Sequence, residues 1–159
     1  MISRVCLFLT RKMTFSKSYG YAIRGTLYIA MMNTRNEKIG LNEIAAKLSI
    51  PKHFLAKIMK RVVKAGILSS VKGPSGGFYV NKNTNSTTLL TLLEITDGLE
   101  EFDVCMLQLR KCNNSNPCPL HNRFQSHKTG MLQLLKSTTV GDLLKHNDKP
   151  LSIKGLVAG

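Results

Sequence analysis

The sequence predicts a mainly α-helical fold with one small β-hairpin, and three features support this prediction. Apolar residues recur with helical spacing along most of the 159-residue chain. A Ser-Ile-Pro break at 49–51 separates two of the helical segments, and two short strand-like runs come after them. This order is that of a winged helix-turn-helix domain, and a long helical segment follows it.

The first three predicted helices lie at residues 16–32, at 41–48 and after the break. The spacing of apolar residues in 16–32 predicts a buried helix. Pro51 suits the first turn of the third helix because its fixed φ fits that position, and Gly66 suits the helix end. The predicted apolar side of this helix carries Phe54, Leu55, Ile58, Met59, Val62 and Val63. Any αα-hairpin can show the same pattern. The choice of a helix-turn-helix therefore depends on the charges of the third helix and on the β-hairpin that follows it.

The opposite side of the third helix is basic. His53, Lys57, Lys60 and Lys64 follow one another at spacings of 4, 3 and 4, with Lys52 and Arg61 beside them. No Asp or Glu occurs from residue 44 to 93, whereas eight Lys or Arg do. A surface of one charge sign repels itself unless phosphates supply the opposite charge, so the stripe indicates nucleic acid. The alternative is an ordinary solvated helix face.

The whole chain shares this charge bias. It carries 23 Lys and Arg against 9 Asp and Glu, a net charge of +14. This surplus favours a polyanionic partner, first nucleic acid and second an anionic membrane, although a merely soluble basic protein is also compatible with it.

Residues 67–80 (ILSSVKGPSGGFYV) predict the wing. Two strand-like runs, 67–71 and 78–80, flank a turn sequence rich in Gly and Pro. Glycines at the tip would let backbone amides approach phosphates, and Lys72 would enter the minor groove. The Lys precedes the glycines and no G-K-[ST] follows, which excludes a nucleotide-binding loop. The candidate DNA contacts are Lys52, His53, Lys57, Lys60, Arg61, Lys72, Gly73, Ser75, Gly76 and Gly77.

Residues 81–86 form a linker. Beyond it, three more helices are predicted, at 87–98, at 119–136 and at 139–145. Thr139 and Asp142 form a capping pair at the start of the last one. The long helix carries a narrow apolar stripe of Leu120, Phe124, Met131 and Leu135. Such a stripe suits the partner helix of a homodimer or, equally, the first helix of the same chain.

The predicted division of the chain has five parts. Residues 1–13 form a disordered extension, 14–98 the winged helix-turn-helix domain, and 99–118 a cysteine-rich loop; 119–146 hold the dimerisation helix and the short last helix, and 147–159 a mobile tail. The apolar run at 5–9 is too short for an export signal or a membrane span, so we expect a cytoplasmic protein without a membrane partner.

Several segments together resemble the Rrf-two family of bacterial winged-helix regulators over residues 14–146. They are SKSYGYAIRGTLYIA, LNEIAAKLSIP, LAKIMKRVVKAGILSSVKGPSGGFYV and TTVGDLL, with a cysteine-rich loop before the last. The resemblance implies a homodimeric transcription factor that binds a double-stranded DNA operator, with the third helix in the major groove and the wing in the minor groove. It implies neither a small-molecule substrate nor an enzyme. The residues themselves also do not indicate an enzyme, since no paired carboxylates or nucleophile elbow are evident.

Three of the four cysteines lie in one loop with the spacing C-x6-C-x5-C, at Cys105, Cys112 and Cys118. No tight pair typical of structural zinc sites occurs, but spacing leaves an iron–sulfur cluster, zinc and redox-active thiols open. With Pro119 as the first helical residue, Cys118 would be the N-cap, where the helix dipole favours the thiolate. His121 would then share a face with Cys118; alternatively it is an exposed first-turn histidine.

The resemblance implies a specific set of ligands for the metal site. IscR-like members use three cysteines and a histidine three residues after the last, which implies that Cys105, Cys112, Cys118 and His121 hold a [2Fe–2S] cluster, with [4Fe–4S] as the other possibility. The position of the carboxylate ligand in NsrR-like members is Gly20 here, which has no donor. The alternative function is a cluster-free regulator that uses the cysteines as a thiol redox sensor or a zinc site.

Overall fold

A computed structural model describes residues 15–32, 38–100, 115–145 and 156–157. Its elements are α1 (Lys17–Met32), α2 (Leu41–Leu48), α3 (Lys52–Lys64), β1 (Leu68–Val71), β2 (Gly77–Val80), α4 (Leu89–Thr96), α5 (His121–Ser137) and α6 (Val140–Leu144). β1 and β2 form an antiparallel hairpin. The predicted fold class, mainly α with a small hairpin, is confirmed.

A tight turn joins α2 to α3. Ser49 adopts the left-handed conformation with φ 53°, and the Ile50 N–H donates to the carbonyl of Ala45 at 3.0 Å. Pro51 has φ −57° and its carbonyl accepts the N–H of Leu55 at 3.1 Å. Pro51 therefore lies at the N-cap, one residue before the first residue of α3, and the predicted helix-turn-helix forms.

Gly66 ends α3 and directs the chain into the hairpin. It has φ 72°, a conformation that Gly adopts without steric cost, and its N–H donates to the carbonyl of Val63 at 2.9 Å. β1 then pairs with β2 from Leu68↔Val80 to Val71↔Gly77. On the other side of β2, Ile39 and Phe78 exchange two backbone hydrogen bonds of 2.9 Å, so the residue before α2 extends the sheet.

Helices α1, α2, α3 and α4 share one hydrophobic core, and α5 and α6 contribute buried residues to it. α1 packs against α3 and α4, and α5 packs against α4. The most deeply buried side chains include Tyr28, Ile29, Ile44, Leu48, Leu55, Met59, Leu68, Leu92 and Leu93. The Tyr28 hydroxyl donates to Glu43 Oε1 at 3.0 Å and links α1 to α2. Within the described ranges, no helix is long and apolar enough to cross a membrane.

The predicted capping pair at the start of α6 is confirmed. The Asp142 N–H donates to Thr139 Oγ1 at 3.1 Å, and the Thr139 N–H donates to Asp142 Oδ2 at 2.9 Å. The Thr139 hydroxyl also donates to Asp142 Oδ2 at 2.6 Å, and the bonds from the hydroxyl and from the backbone N–H of Thr139 lower the pKa of Asp142. The Val140 N–H also donates to the carbonyl of Thr87, and the Leu89 N–H to that of Thr138, both at 2.9 Å. The corner between α5 and α6 is thereby attached to the start of α4.

One residue of the segment predicted to be a mobile tail lies in the core. Leu156 is buried, and the Arg24 guanidinium donates to its carbonyl at 3.1 Å. The predicted division of the chain did not include this long-range contact with α1.

The hairpin requires glycine at position 77, and we expect G77A to lower the free energy of unfolding by about 1–3 kcal/mol through overpacking. A Cβ there would lie 2.7 Å from the carbonyl oxygen of Ile39 and 3.0 Å from its nitrogen, both backbone atoms. Urea unfolding measures the change. G130A is the control: Gly130 has open space around it in α5, so alanine should stabilise the helix by up to about 1 kcal/mol. Equal effects of both substitutions would contradict the packing argument.

Candidate nucleic-acid interface and metal site

α3 separates its apolar and basic residues between two sides. Leu55, Ile58, Met59 and Val62 are buried in the core. The predicted contacts on the same helix, Lys52, His53, Lys57, Lys60 and Arg61, are all exposed, as is Lys64. The packing of the apolar side fixes the orientation of the helix, so the basic stripe faces outward and can meet a polyanion.

Arg61 makes a contact that the sequence did not predict. Its guanidinium donates to the carbonyl of Thr96 at 3.1 Å, at the end of α4, where the helix dipole favours a cation. The next residue, Asp97, accepts a hydrogen bond from the Ser16 N–H at 3.0 Å and another from the Ser16 hydroxyl. The end of α4 is therefore attached to both α3 and the start of α1.

Phe54 does not lie on the buried side of α3, and the prediction that placed it there is wrong. Its side chain is 51% exposed, and its ring centroid lies 4.2 Å from that of His53. One signal could have shown this: Phe54 precedes Lys57 and Arg61 by three and seven residues, the spacing of a shared helix face.

The hairpin tip presents Lys72, Gly73 and Ser75 to solvent, as predicted. Gly73 has φ 112°, and its carbonyl accepts the Gly76 N–H at 3.0 Å. Gly76 and Gly77 are only half-buried, but a Cβ on Gly76 would meet the Val71 carbonyl. Close packing within the hairpin therefore explains Gly76, and the backbone of Ile39 explains Gly77. Lys72, Gly73 and Ser75 form the outward tip.

The structure describes two of the four predicted metal ligands, because Cys105 and Cys112 lie outside the described residues. Cys118 is buried and His121 half-buried, and the His121 N–H donates to the Cys118 carbonyl at 2.9 Å. α5 begins at His121 with Leu120 as its N-cap, so the prediction of Cys118 as N-cap and Pro119 as first helical residue is wrong. A separate turn at 118–121 precedes the helix. Cys118 and His121 nevertheless share that turn.

The donor types at this turn fit an iron–sulfur cluster. A buried sulfur and a half-buried imidazole three residues apart are the ligand atoms that cysteine- and histidine-ligated clusters use. In the described part of the chain, no three His, Cys, Asp or Glu residues converge on a metal position. Cys105 and Cys112 would complete the set.

The predicted stripe of α5 divides into two parts. Leu135 is buried and Met131 packs against the core, so this part contacts the same chain, through α4 more than through α1. Leu120 is 38% exposed and Leu134, which the stripe did not include, is 62% exposed. α5 therefore keeps an apolar edge that faces outward.

Comparisons with known proteins agree with the fold. Residues 15–146 match the Rrf2 family, described as iron-dependent transcriptional regulator. An HTH-type transcriptional regulator of Aquifex aeolicus is 33% identical over 141 residues, which cover 87% of this chain and 96% of that protein. IscR of Escherichia coli O1:K1, also named an HTH-type transcriptional regulator, is 26% identical over 136 residues, 85% of this chain and 82% of that protein.

Solved structures show the same fold. CymR, the global cysteine regulator of B. subtilis, superposes with a TM-score of 0.67 at 18% identity and covers 86% of this chain and 100% of its own. IscR of T. potens has a TM-score of 0.63 at 17% identity, with 89% and 95% covered. The predicted winged helix-turn-helix is thus confirmed. The chain belongs to the Rrf2 family of transcriptional regulators, as its sequence motifs predict, and not to a family of enzymes.

Proposed function

We propose that this chain is a homodimeric DNA-binding regulator whose operator binding is controlled by an iron–sulfur cluster at Cys105, Cys112, Cys118 and His121. The observation that carries the DNA-binding part is the exposed basic stripe of α3, on a helix whose opposite side is buried. The absence of acidic residues from 44 to 93 leaves the charge of that stripe uncompensated by its sequence neighbours. Phosphates of an operator supply the opposite charge.

The residues of this surface take different roles. Lys57 and Lys60 contact phosphates and set affinity, whereas His53, at the start of α3, reads base edges in the major groove. Lys72, at the exposed tip of the hairpin, enters the minor groove and contacts a phosphate there. Arg61 supports the surface through its hydrogen bond to Thr96, with its other N–H groups available to a phosphate. Because the proposed partner is chromosomal DNA, we expect the protein to act in the cytoplasm.

The outward edge of α5 supports a dimer built through that helix. Leu134 and Leu120 expose apolar surface that a second copy of the same helix would cover. A two-fold dimer presents two α3 helices to two half-sites, which must lie about one helical turn, roughly 34–36 Å, apart or a multiple of it. Binding both half-sites at once is the source of most of the affinity.

The donor set at 105–121 supports an iron–sulfur cluster as the regulatory group. When bound, the cluster supplies a centre that reacts with oxidants and that changes the charge of its segment when it is lost. Cys118 and His121 would hold it at the start of α5, and Cys105 and Cys112 would close the loop around it. The cluster type that matches three cysteines and one histidine is [2Fe–2S], and [4Fe–4S] is the alternative.

The end of α4 offers a route from the cysteine segment to the DNA-binding surface. Thr96 and Asp97 are hydrogen-bonded to Arg61 of α3 and to Ser16, and only a few residues separate them from Cys105. A change in the segment that follows α4 would therefore reach the exposed Arg61 side chain of α3, while the buried side of that helix stays in place.

A second candidate function is regulation without a cluster. The structural similarity to CymR, a cysteine regulator by name, leaves this function open, because thiol oxidation or zinc at the same cysteines could replace the cluster. Anaerobic purification distinguishes the two. Visible absorbance with stoichiometric iron and sulfide supports the cluster, whereas a colourless protein that contains zinc or a disulfide supports the second function.

Lys72 provides a test of the wing contact. We expect K72A to weaken operator binding and to reduce the slope of log K against log salt by about 0.9, the value for one phosphate contact. Fluorescence anisotropy at several salt concentrations measures the slope. K136A removes an exposed lysine from α5, remote in sequence from the wing, and should leave the slope unchanged. An unchanged slope in K72A would remove Lys72 from the interface.

A further inference from the structure

We infer that Phe54 is a specificity-determining residue that contacts thymine 5-methyl groups in the operator, with its ring supported by His53. The inference rests on the proposed DNA binding and adds a base preference to it. The observation behind it is an exposed aromatic ring on a helix face that is otherwise basic.

The exposure of Phe54 is exceptional within α3. The other large apolar side chains of this helix are buried, or half-buried against the core in the case of Val63. Phe54 instead leaves 51% of its surface in water, at the boundary between the buried side and the basic side of the helix. A partner that covers this ring would remove its apolar surface from water, which is favourable.

The position of the ring indicates which partner covers it. Phe54 is the third residue of α3, at the end where recognition helices contact bases. Lys57 and Arg61 follow on the same face at the spacing of successive turns. A partner that binds these cations brings its own surface against the phenyl ring.

The chemistry of the ring selects one group in the major groove. A phenyl ring has no hydrogen-bond donor or acceptor, so it cannot discriminate among the polar edges of bases. The 5-methyl group of thymine is the apolar group that base pairs present there, and Phe is one of the side chains that contact it. The His53 ring, tilted by 40° at a centroid distance of 4.2 Å, restricts the position of the phenyl group before DNA binds.

Replacement of thymine by deoxyuridine tests the contact, because it removes the methyl group alone. The dimer is first used to select operators from a random duplex library. Each thymine of a selected operator is then replaced, and affinity is measured by anisotropy. We expect at least one symmetric pair of positions at which each replacement weakens binding about fourfold, the value for one buried methyl group.

Variants assign the effect to Phe54. F54A should lose the preference for thymine over deoxyuridine at that pair of positions, whereas F54L, which keeps an apolar side chain, should retain part of it. V71A removes a different exposed apolar side chain, in β1, and should keep the full preference. Circular dichroism checks that all three variants fold.

Two results would overturn the inference: tolerance of deoxyuridine at every position by the unaltered protein, or an unchanged preference in F54A. Failure to enrich any duplex from the library has a different meaning, since it overturns the proposed DNA binding itself and the thymine contact with it.

Discussion

Replacement of Leu134 by glutamate should convert the dimer into monomers and lower operator affinity by at least about 100-fold, because linked half-sites gain 10²–10⁴ in avidity. Leu134 is 62% exposed on the outer edge of α5, where we place the second copy. A charge in an apolar helix contact must lose its hydration without gaining a partner, which is costly. The chain itself should fold normally, since the side chain contributes little to its own core.

Sedimentation equilibrium and anisotropy titration measure the two effects. Q133E is the matched control, because Gln133 is exposed and adjacent but points about 100° away around the helix. It introduces the same charge and should leave both association and DNA binding close to those of the unaltered protein. An L134E variant that remains dimeric would exclude this edge of α5 as the interface.

Replacement of Cys105, Cys112 and Cys118 by serine should abolish the cluster and every effect of iron and oxygen on operator binding. Iron–sulfur clusters are held mainly by Cys thiolates, which serine does not supply. We expect a colourless protein without bound iron or sulfide, whose operator affinity is the same under air and under nitrogen. For the unaltered protein the two affinities should differ at least about tenfold, a coupling free energy of roughly 1.4 kcal/mol.

Cys6 supplies the control for this experiment. It lies outside the cysteine-rich loop, so C6S should retain the absorbance, the iron and the response to oxygen. If the triple variant still responded to oxygen, the sensing group would lie elsewhere. If it lost the response but the unaltered protein contained zinc in place of iron and sulfide, the second candidate function would replace the first.

The parts of the fold that the sequence predicts are those with local causes. Gly66 ends α3 because of its own backbone conformation, and the Thr139–Asp142 cap lies within four residues. The hairpin is indicated by its turn residues and by β-branched or aromatic neighbours. The outward basic stripe of α3 was predictable for the same reason, since helical spacing decides which residues share a side.

The features that the sequence could not show depend on tertiary contacts. Leu156 is held by Arg24, 132 residues away, and no local pattern indicates such a contact. The hydrogen bond from Arg61 to Thr96 likewise depends on how α3 and α4 pack. Phe54 is a different case: apolar character alone assigned it to the core, although its helical spacing to Lys57 and Arg61 could have shown its position at the edge of the buried face.

The predicted first residue of α5 also differs from the observed one. Pro119 suits a first helical turn, yet the chain forms a separate turn first and the helix begins at His121. Helix boundaries often vary by one or two residues from pattern-based predictions. The spacing between Cys118 and His121 therefore still brings both residues onto one turn, and the proposed ligand set is unaffected.

In the proposed function, an iron–sulfur cluster in the cysteine segment controls how the surface of α3 and the wing binds an operator. The most direct test is an anaerobic titration of one selected operator with the same preparation before and after removal of its iron. We predict affinities that differ at least about tenfold, with a steep salt dependence in the tighter-binding form. Equal affinities for the two forms, at equal dimer content, would contradict the claim.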